Sequence, residues 1–153
     1  MYACGLRISE ACSLEIPSIN SEQKLLRIIG KGNKERLLPL PTPILYQLRD
    51  IWKLHKHPQW IFPNKTRTNH IIPSVLYKTF DDALTQAGLN PAVSPHTLRH
   101  SYATRLMDHG VDIGIVQLLL GHSSLKSTVI YIHLSEVNRQ KIRGFLDDFM
   151  ADL

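Results

Sequence analysis

The apolar and polar positions along the chain change period several times, and each change marks an element. Residues 8–14, ISEACSL, have helical spacing that Pro17 stops. KLLRIIG (24–30) and ERLLPL (35–40) are short apolar runs joined by KGNK, in which Gly32 and Asn33 tolerate positive φ. They predict a β-hairpin with a basic tip, with a further short strand expected near Ile16 to Ile19. Pro41 and Pro43 open a helix through about residue 56, with Ile44, Leu45, Leu48, Ile51, Trp52 and His55 at helical spacing. After a loop at 60–70, a second helix is expected from Pro73 to Ala87, with Gly88 past its end.

From Ser94 onward only helices are predicted. Ser94 suits an N-cap, Pro95 a first helical position, and HTLRHSYATRLMDH (96–109) ends at Gly110. DIGIVQLLL (112–120) ends at Gly121, and SLKSTVIYI (124–132) follows with Ser124 as its cap. The last segment sets Val137, Ile142, Phe145, Leu146, Phe149, Met150 and Leu153 at threes and fours, an apolar stripe that must pack on something. The fold class expected is a single α+β domain, mainly α with a small antiparallel sheet.

Composition narrows the class without naming a function. The 153 residues suffice for a core without metal or disulfide staples, and 43% hydrophobic with 20% charged residues is ordinary for a globular domain. No apolar run reaches the roughly 20 residues of a membrane span, and MYACGLRISE does not read as a signal peptide, so a cytoplasmic protein is expected. Cys4 and Cys12 make neither a disulfide framework nor a zinc motif. Lys and Arg outnumber Asp and Glu by 18 to 13, a formal charge of +5, which favours a polyanionic partner.

The helix at 96–109 carries the first chemistry. On a wheel of about 100° per residue, Leu98, Tyr102, Ala103, Leu106 and Met107 fill one arc, and Arg99, at about 300° from His96, falls inside it. A guanidinium on a core face stays charged and needs an anionic partner, either a carboxylate of this chain or a ligand's phosphate. His96 and His100 flank the same arc beside the positive end of the helix. Their i, i+4 spacing also fits a zinc pair, but Thr97 stands where a zinc protease carries its Glu, and Arg99 would oppose a cation.

Four more stretches join this one: Arg7 in GLRISE, Lys31 in GKGNKER, His122 in LLGHSS and Tyr131 in IYIH. Singly, these read as a surface charge, a turn lysine, a capping histidine and a core aromatic. Together they supply a nucleophile, cations for a phosphate and an acid for a leaving alcohol, without a metal. The ordered set GLRISE, GKGNKER, HTLRHSYAT, LLGHSS and IYIH resembles the catalytic domain of the tyrosine recombinases, the phage-integrase and Xer-type site-specific DNA recombinases. The resemblance runs from about residue 2 to at least residue 146.

The resemblance implies a role for each matching position. Arg7 and Arg99 would clamp the scissile phosphate, two planar forks matching its non-bridging oxygens. Lys31 would protonate the departing 5′ oxygen, with Lys34 the alternative. His96 would assist proton transfer, and His122 would hydrogen-bond the phosphate. Tyr131 would attack to give a 3′-phosphotyrosyl link, needing help because a phenol has a pKa of about 10. Lys34 and Arg36 are expected to contact DNA. No cofactor is expected, the partner is double-stranded DNA, and a C-terminal helix would link subunits of a homo- or hetero-tetramer on it.

Family members carry a separate N-terminal DNA-clamping domain and further catalytic-domain residues before GLRISE. Residues 1–153 are therefore expected to be a catalytic domain without those parts, binding DNA weakly and in a salt-sensitive way. Two other classes stay open on the residues alone: a catalytically inactive DNA-binding or assembly module, and a metal-dependent hydrolase using His96 and His100.

Overall fold

A computed structural model describes residues 1–30, 33, 35–121 and 136–151. Helix α1 spans Ile8–Cys12 and is followed by a 3-10 turn at Ile16–Ser18. A three-stranded antiparallel sheet follows in the order β1 (Ile19–Asn20), β2 (Leu25–Ile29), β3 (Glu35–Pro39). Helices α2 (Thr42–His55), α3 (Pro73–Gln86), α4 (Pro95–Asp108), α5 (Ile113–Leu120) and α6 (Glu136–Ala151) complete the described chain. The α+β class read from the sequence is the class observed.

The hairpin pairs Leu26 with Leu38 and Ile28 with Arg36, and Asn33 in its turn has φ +56°. Side chains alternate across a strand, so Leu26, Ile28, Arg36 and Leu38 all face the core and are buried. The strand expected from Ile16 is corrected to β1 at Ile19–Asn20. Pro17 has no N–H to give a ladder, and the chain makes a 3-10 turn there instead.

Helix α4 starts as read, at Pro95, with the Ser94 N–H donating to Thr97 Oγ1 at 3.3 Å. Tyr102 and Leu106 lie in the core, whereas Met107 is 43% exposed, so the apolar arc is narrower than the wheel drew it. Helix α5 buries Val116, Leu118, Leu119 and Leu120 and stops at Gly121, whose φ of +69° ends the helix in the left-handed region.

Helix α6 folds back on its own chain. Ile142, Leu146 and Met150, one turn apart, are buried, and the Asp147 carboxylate accepts from the Thr42 N–H at 2.6 Å and from Thr42 Oγ1 at 3.1 Å. An acid capping the positive end of α2 therefore fastens the last helix. Within the single chain, Ile142, Leu146 and Met150 of the expected apolar stripe are covered by the same chain. The helix expected at 124–132 lies outside the described residues. Among the described residues no helix is long and apolar enough to cross a membrane.

Candidate active site

Arg7 sits just before α1, and the first turn of that helix fixes it. Its backbone N–H donates to Glu10 Oε2 at 2.7 Å and its Nη1 to Glu10 Oε1 at 2.9 Å, so one carboxylate holds both ends of the residue. Its Nη2 reaches across the fold to the Gly121 carbonyl at 3.0 Å. The side chain stays 41% exposed, leaving part of the guanidinium open to a ligand.

Glu10 is also held from the opposite side. Arg36 places Nη1 2.9 Å from Oε1 and Nη2 2.7 Å from Oε2, a parallel two-bond pairing, while its Nε donates to the Leu119 carbonyl at 3.0 Å. These two side chains are 3% and 7% exposed. Burial pushes the Glu10 carboxyl up, but the bonds from Arg36 and from the Arg7 backbone and side chain overcome this and hold it at about 2. The reading of Arg36 as a DNA contact is thereby corrected. Its place on the core face of β3, in step with Leu38, turns it inward to Glu10.

Arg99 reaches the same place from α4. Its Nη1 donates to the Gly5 carbonyl and its Nη2 to the Leu120 carbonyl. The anionic partner that the helical wheel demanded is not a carboxylate bonded to it; the guanidinium rests on neutral backbone oxygens. Burial, then repulsion from Arg7, lowers its pKa to about 10, with Arg36 adding to the shift and Glu10 opposing it. At neutral pH it remains charged.

The last turn of α5 is the common seat. The carbonyls of Leu119, Leu120 and Gly121 accept from Arg36, Arg99 and Arg7 in that order. A helix end leaves such carbonyls without intrahelical partners and carries a partial negative charge, so it suits cations. Three guanidiniums gather around one carboxylate, which bonds Arg7 and Arg36 but not Arg99, leaving the cluster two positive charges in excess (+3 − 1). The excess sits on Arg7 and Arg99, the two with exposed surface. An anion with oxygens on two sides would complete it.

His96 lies exposed in the first turn of α4, with Nε2 3.3 Å from Tyr77 Oη on α3. His96, Arg99 and His100 line one concavity with Met107 and Ile113. No group of three or more His, Cys, Asp or Glu side chains suited to a metal occurs among the described residues. The structure thus brings Arg7 and Arg99 together with His96 on the same helix as Arg99. Lys31, Lys34, His122 and Tyr131 lie outside the described residues.

Sequence reasoning missed Glu10, Tyr77 and the inward turn of Arg36. Two of these had a signal. Arg36 shares strand parity with Leu38 and Leu40, and Glu10 stands three residues after Arg7, where an acid reaches back to a helix start. Tyr77 had none, because its contact with His96 joins two separate helices and exists only in the folded chain.

A helical domain with a three-stranded sheet and two arginines seated side by side on one helix end is the class that fold and geometry define. Residues 1–137 match the model of the phage integrase family, and the chain belongs to that family. It is 36% identical over 150 residues to the tyrosine recombinase XerD of Pseudomonas putida, covering 94% of this chain and 50% of that protein. A tyrosine recombinase of Thermosipho africanus is 40% identical over 137 residues, covering 89% and 48%. The crystal structure of XerA recombinase superposes with a TM-score of 0.71 at 25% identity, over 91% of this chain and 52% of that one. XerH site-specific recombinase bound to its difH substrate in a pre-cleavage complex gives 0.70 at 29%, over 92% and 43%. The chain spans about half the length of the curated relatives it matches.

Proposed function

We propose that residues 1–153 are the catalytic domain of a tyrosine-type site-specific DNA recombinase, cutting and rejoining duplex DNA in the cytoplasm. The observation that carries this reading is the seating of Arg7 and Arg99 on neighbouring carbonyls of α5, with two positive charges in excess. A phosphodiester presents two non-bridging oxygens, and the pentacoordinate transition state carries more negative charge than the ground state. Two fixed forks therefore stabilise the transition state more than the substrate.

In the reaction, Tyr131 Oη attacks the phosphorus and the bond to the 5′ oxygen breaks. Lys31, or Lys34 in its place, gives that oxygen a proton, while His96 assists proton transfer and His122 hydrogen-bonds the phosphate. The 3′-phosphotyrosyl link conserves the bond, so a 5′-hydroxyl of another strand displaces the tyrosine in the reverse chemistry. Assembly as a tetramer on DNA belongs to the same reading. Exchange of α6 between subunits would require releasing Ile142, Leu146, Met150 and the Asp147 cap on α2.

The test is a nicked suicide duplex, from which the short strand diffuses away after cleavage and leaves the protein on DNA. A covalent complex that forms in EDTA and is absent from Tyr131→Phe is expected. Formation that EDTA abolishes would support metal-dependent hydrolysis. Binding without any covalent complex would support an inactive DNA-binding module.

A further inference from the structure

We propose that Arg36 is a positioning residue for the paired arginines: acting through Glu10 and the Leu119 carbonyl, it fixes the direction of Arg7 and its spacing from Arg99. The inference rests on the recombinase reading for its catalytic consequence, but its geometric part stands on contacts alone.

Each oxygen of Glu10 accepts two bonds, one from Arg7 and one from Arg36. Oε1 takes the two Nη1 atoms, both at 2.9 Å, and Oε2 takes the Arg7 N–H and Arg36 Nη2, both at 2.7 Å. The plane of the carboxylate is therefore set by Arg36, which is buried and cannot turn away, and is passed to Arg7, which is half exposed and could. Without Arg36, Glu10 would be a desolvated carboxylate held only by Arg7, pivoting about the single fixed bond from the Arg7 backbone N–H.

The second hold is on the seat itself. Arg36 Nε bonds Leu119 O, while Arg99 and Arg7 take the next two carbonyls. The Arg36 guanidinium also fills the space beside Gly121, where an added Cβ would lie 3.0 Å from Nη1. Arg36 thus touches both the carboxylate that aims Arg7 and the helix end that carries Arg7 and Arg99. An apolar side chain opposite Ile28 would suit the core face of β3 better, because burying a charge is costly unless it is paired. The arginine is the second residue of β3, so it also ties that end of the strand to the arginine site.

Two variants separate positioning from mere support. Arg36→Lys keeps the charge but cannot form the parallel pairing. Glu10→Met with Arg36→Met replaces the whole buried pair by apolar side chains, a change that often leaves stability intact. The first readout needs no activity: the Nε–H resonance of Arg7 in the DNA-free chain, sharp in the parent and expected to broaden or shift to an averaged position in both variants. The second is single-turnover formation of the covalent complex on the suicide duplex. Its maximal rate is expected to fall about tenfold to a hundredfold while the half-saturating DNA concentration holds.

A folded variant with the parent Arg7 resonance, or with the parent rate, would overturn the inference. So would unfolding of both variants, which would assign Arg36 to the core alone. If the parent forms no covalent complex, the recombinase reading fails, and the Arg7 resonance still decides whether Arg36 positions it.

Discussion

Arg7, just before α1, and Arg99, in α4, stand far apart in the sequence yet rest on adjacent carbonyls, those of Gly121 and Leu120. Two like charges held this close repel, and Arg99 shows the cost in a pKa drawn down to about 10, by burial first and by Arg7 next. The end of α5 and the Glu10 carboxylate offset part of that cost. A phosphate bound between the two forks, as proposed, would relieve part of what remains.

Acid should unlock the cluster. Glu10 has a folded pKa of about 2 against an ordinary glutamate value of about 4.3, so its stabilisation is complete above the ordinary value. That stabilisation is lost as pH falls from about 4.3 toward 2. Urea midpoints measured between pH 7 and pH 2 should drop through this window. Glu10→Gln should lose about 3 to 5 kcal/mol at pH 7, because it strands the buried Arg36, and should flatten the acid limb. An unchanged acid limb in that variant would assign the titration to other carboxyls.

Gly5 joins the fold to the site through one atom, the carbonyl that accepts from Arg99. Its φ is +60°, and an added Cβ would lie 2.6 Å from Tyr102 Cδ1 in the core. Gly5→Ala should cost about 2 to 4 kcal/mol by thermal or urea denaturation, from strain and overpacking together. A loss under about 0.5 kcal/mol, the range of ordinary surface substitutions, would contradict the packing described.

The two thiols should be silent in the folded chain. Cys4 and Cys12 are buried, and burial raises both pKa values, that of Cys4 to about 11. Since the thiolate is the reactive form, a disulfide reagent at pH 8 should titrate neither cysteine in the native protein and both in guanidinium. Rapid reaction of one thiol under native conditions would show that the core around α1 opens.

Tyr77 should matter through His96. Its hydroxyl, on α3, lies 3.3 Å from His96 Nε2 on α4. Tyr77→Phe should lower the rate of covalent complex formation several-fold and alter its pH profile, with DNA affinity and thermal midpoint kept. A pH profile identical to the parent's would remove Tyr77 from the site.

Much of this was legible in the sequence, for reasons that particular residues make plain. Helix ends were readable because Pro95, Gly110 and Gly121 act locally, and the hairpin because its strands alternate about a turn tolerant of positive φ. Arg99 was legible as a misfit on an apolar arc. Its partners were not, since the Gly5 and Leu120 carbonyls are backbone atoms that no side-chain pattern marks. Arg36 was misread because a basic residue after a basic turn suggests a surface, while strand parity with Leu38 sends it inward. Helix α6 was legible as a stripe, while the Asp147 cap on Thr42, which fastens it within the chain, left no mark in the pattern.

The most direct measurement is the site of attachment. After reaction with the suicide duplex, nuclease trimming and proteolysis, mass spectrometry should find a nucleotide remnant on the peptide that contains Tyr131, through a 3′ phosphate. That remnant should be lost in Tyr131→Phe and reduced at least tenfold in Arg7→Ala and Arg99→Ala. A remnant on any other residue, or an unreduced yield in either arginine variant, would contradict the claim that the paired arginines hold the phosphate that Tyr131 attacks.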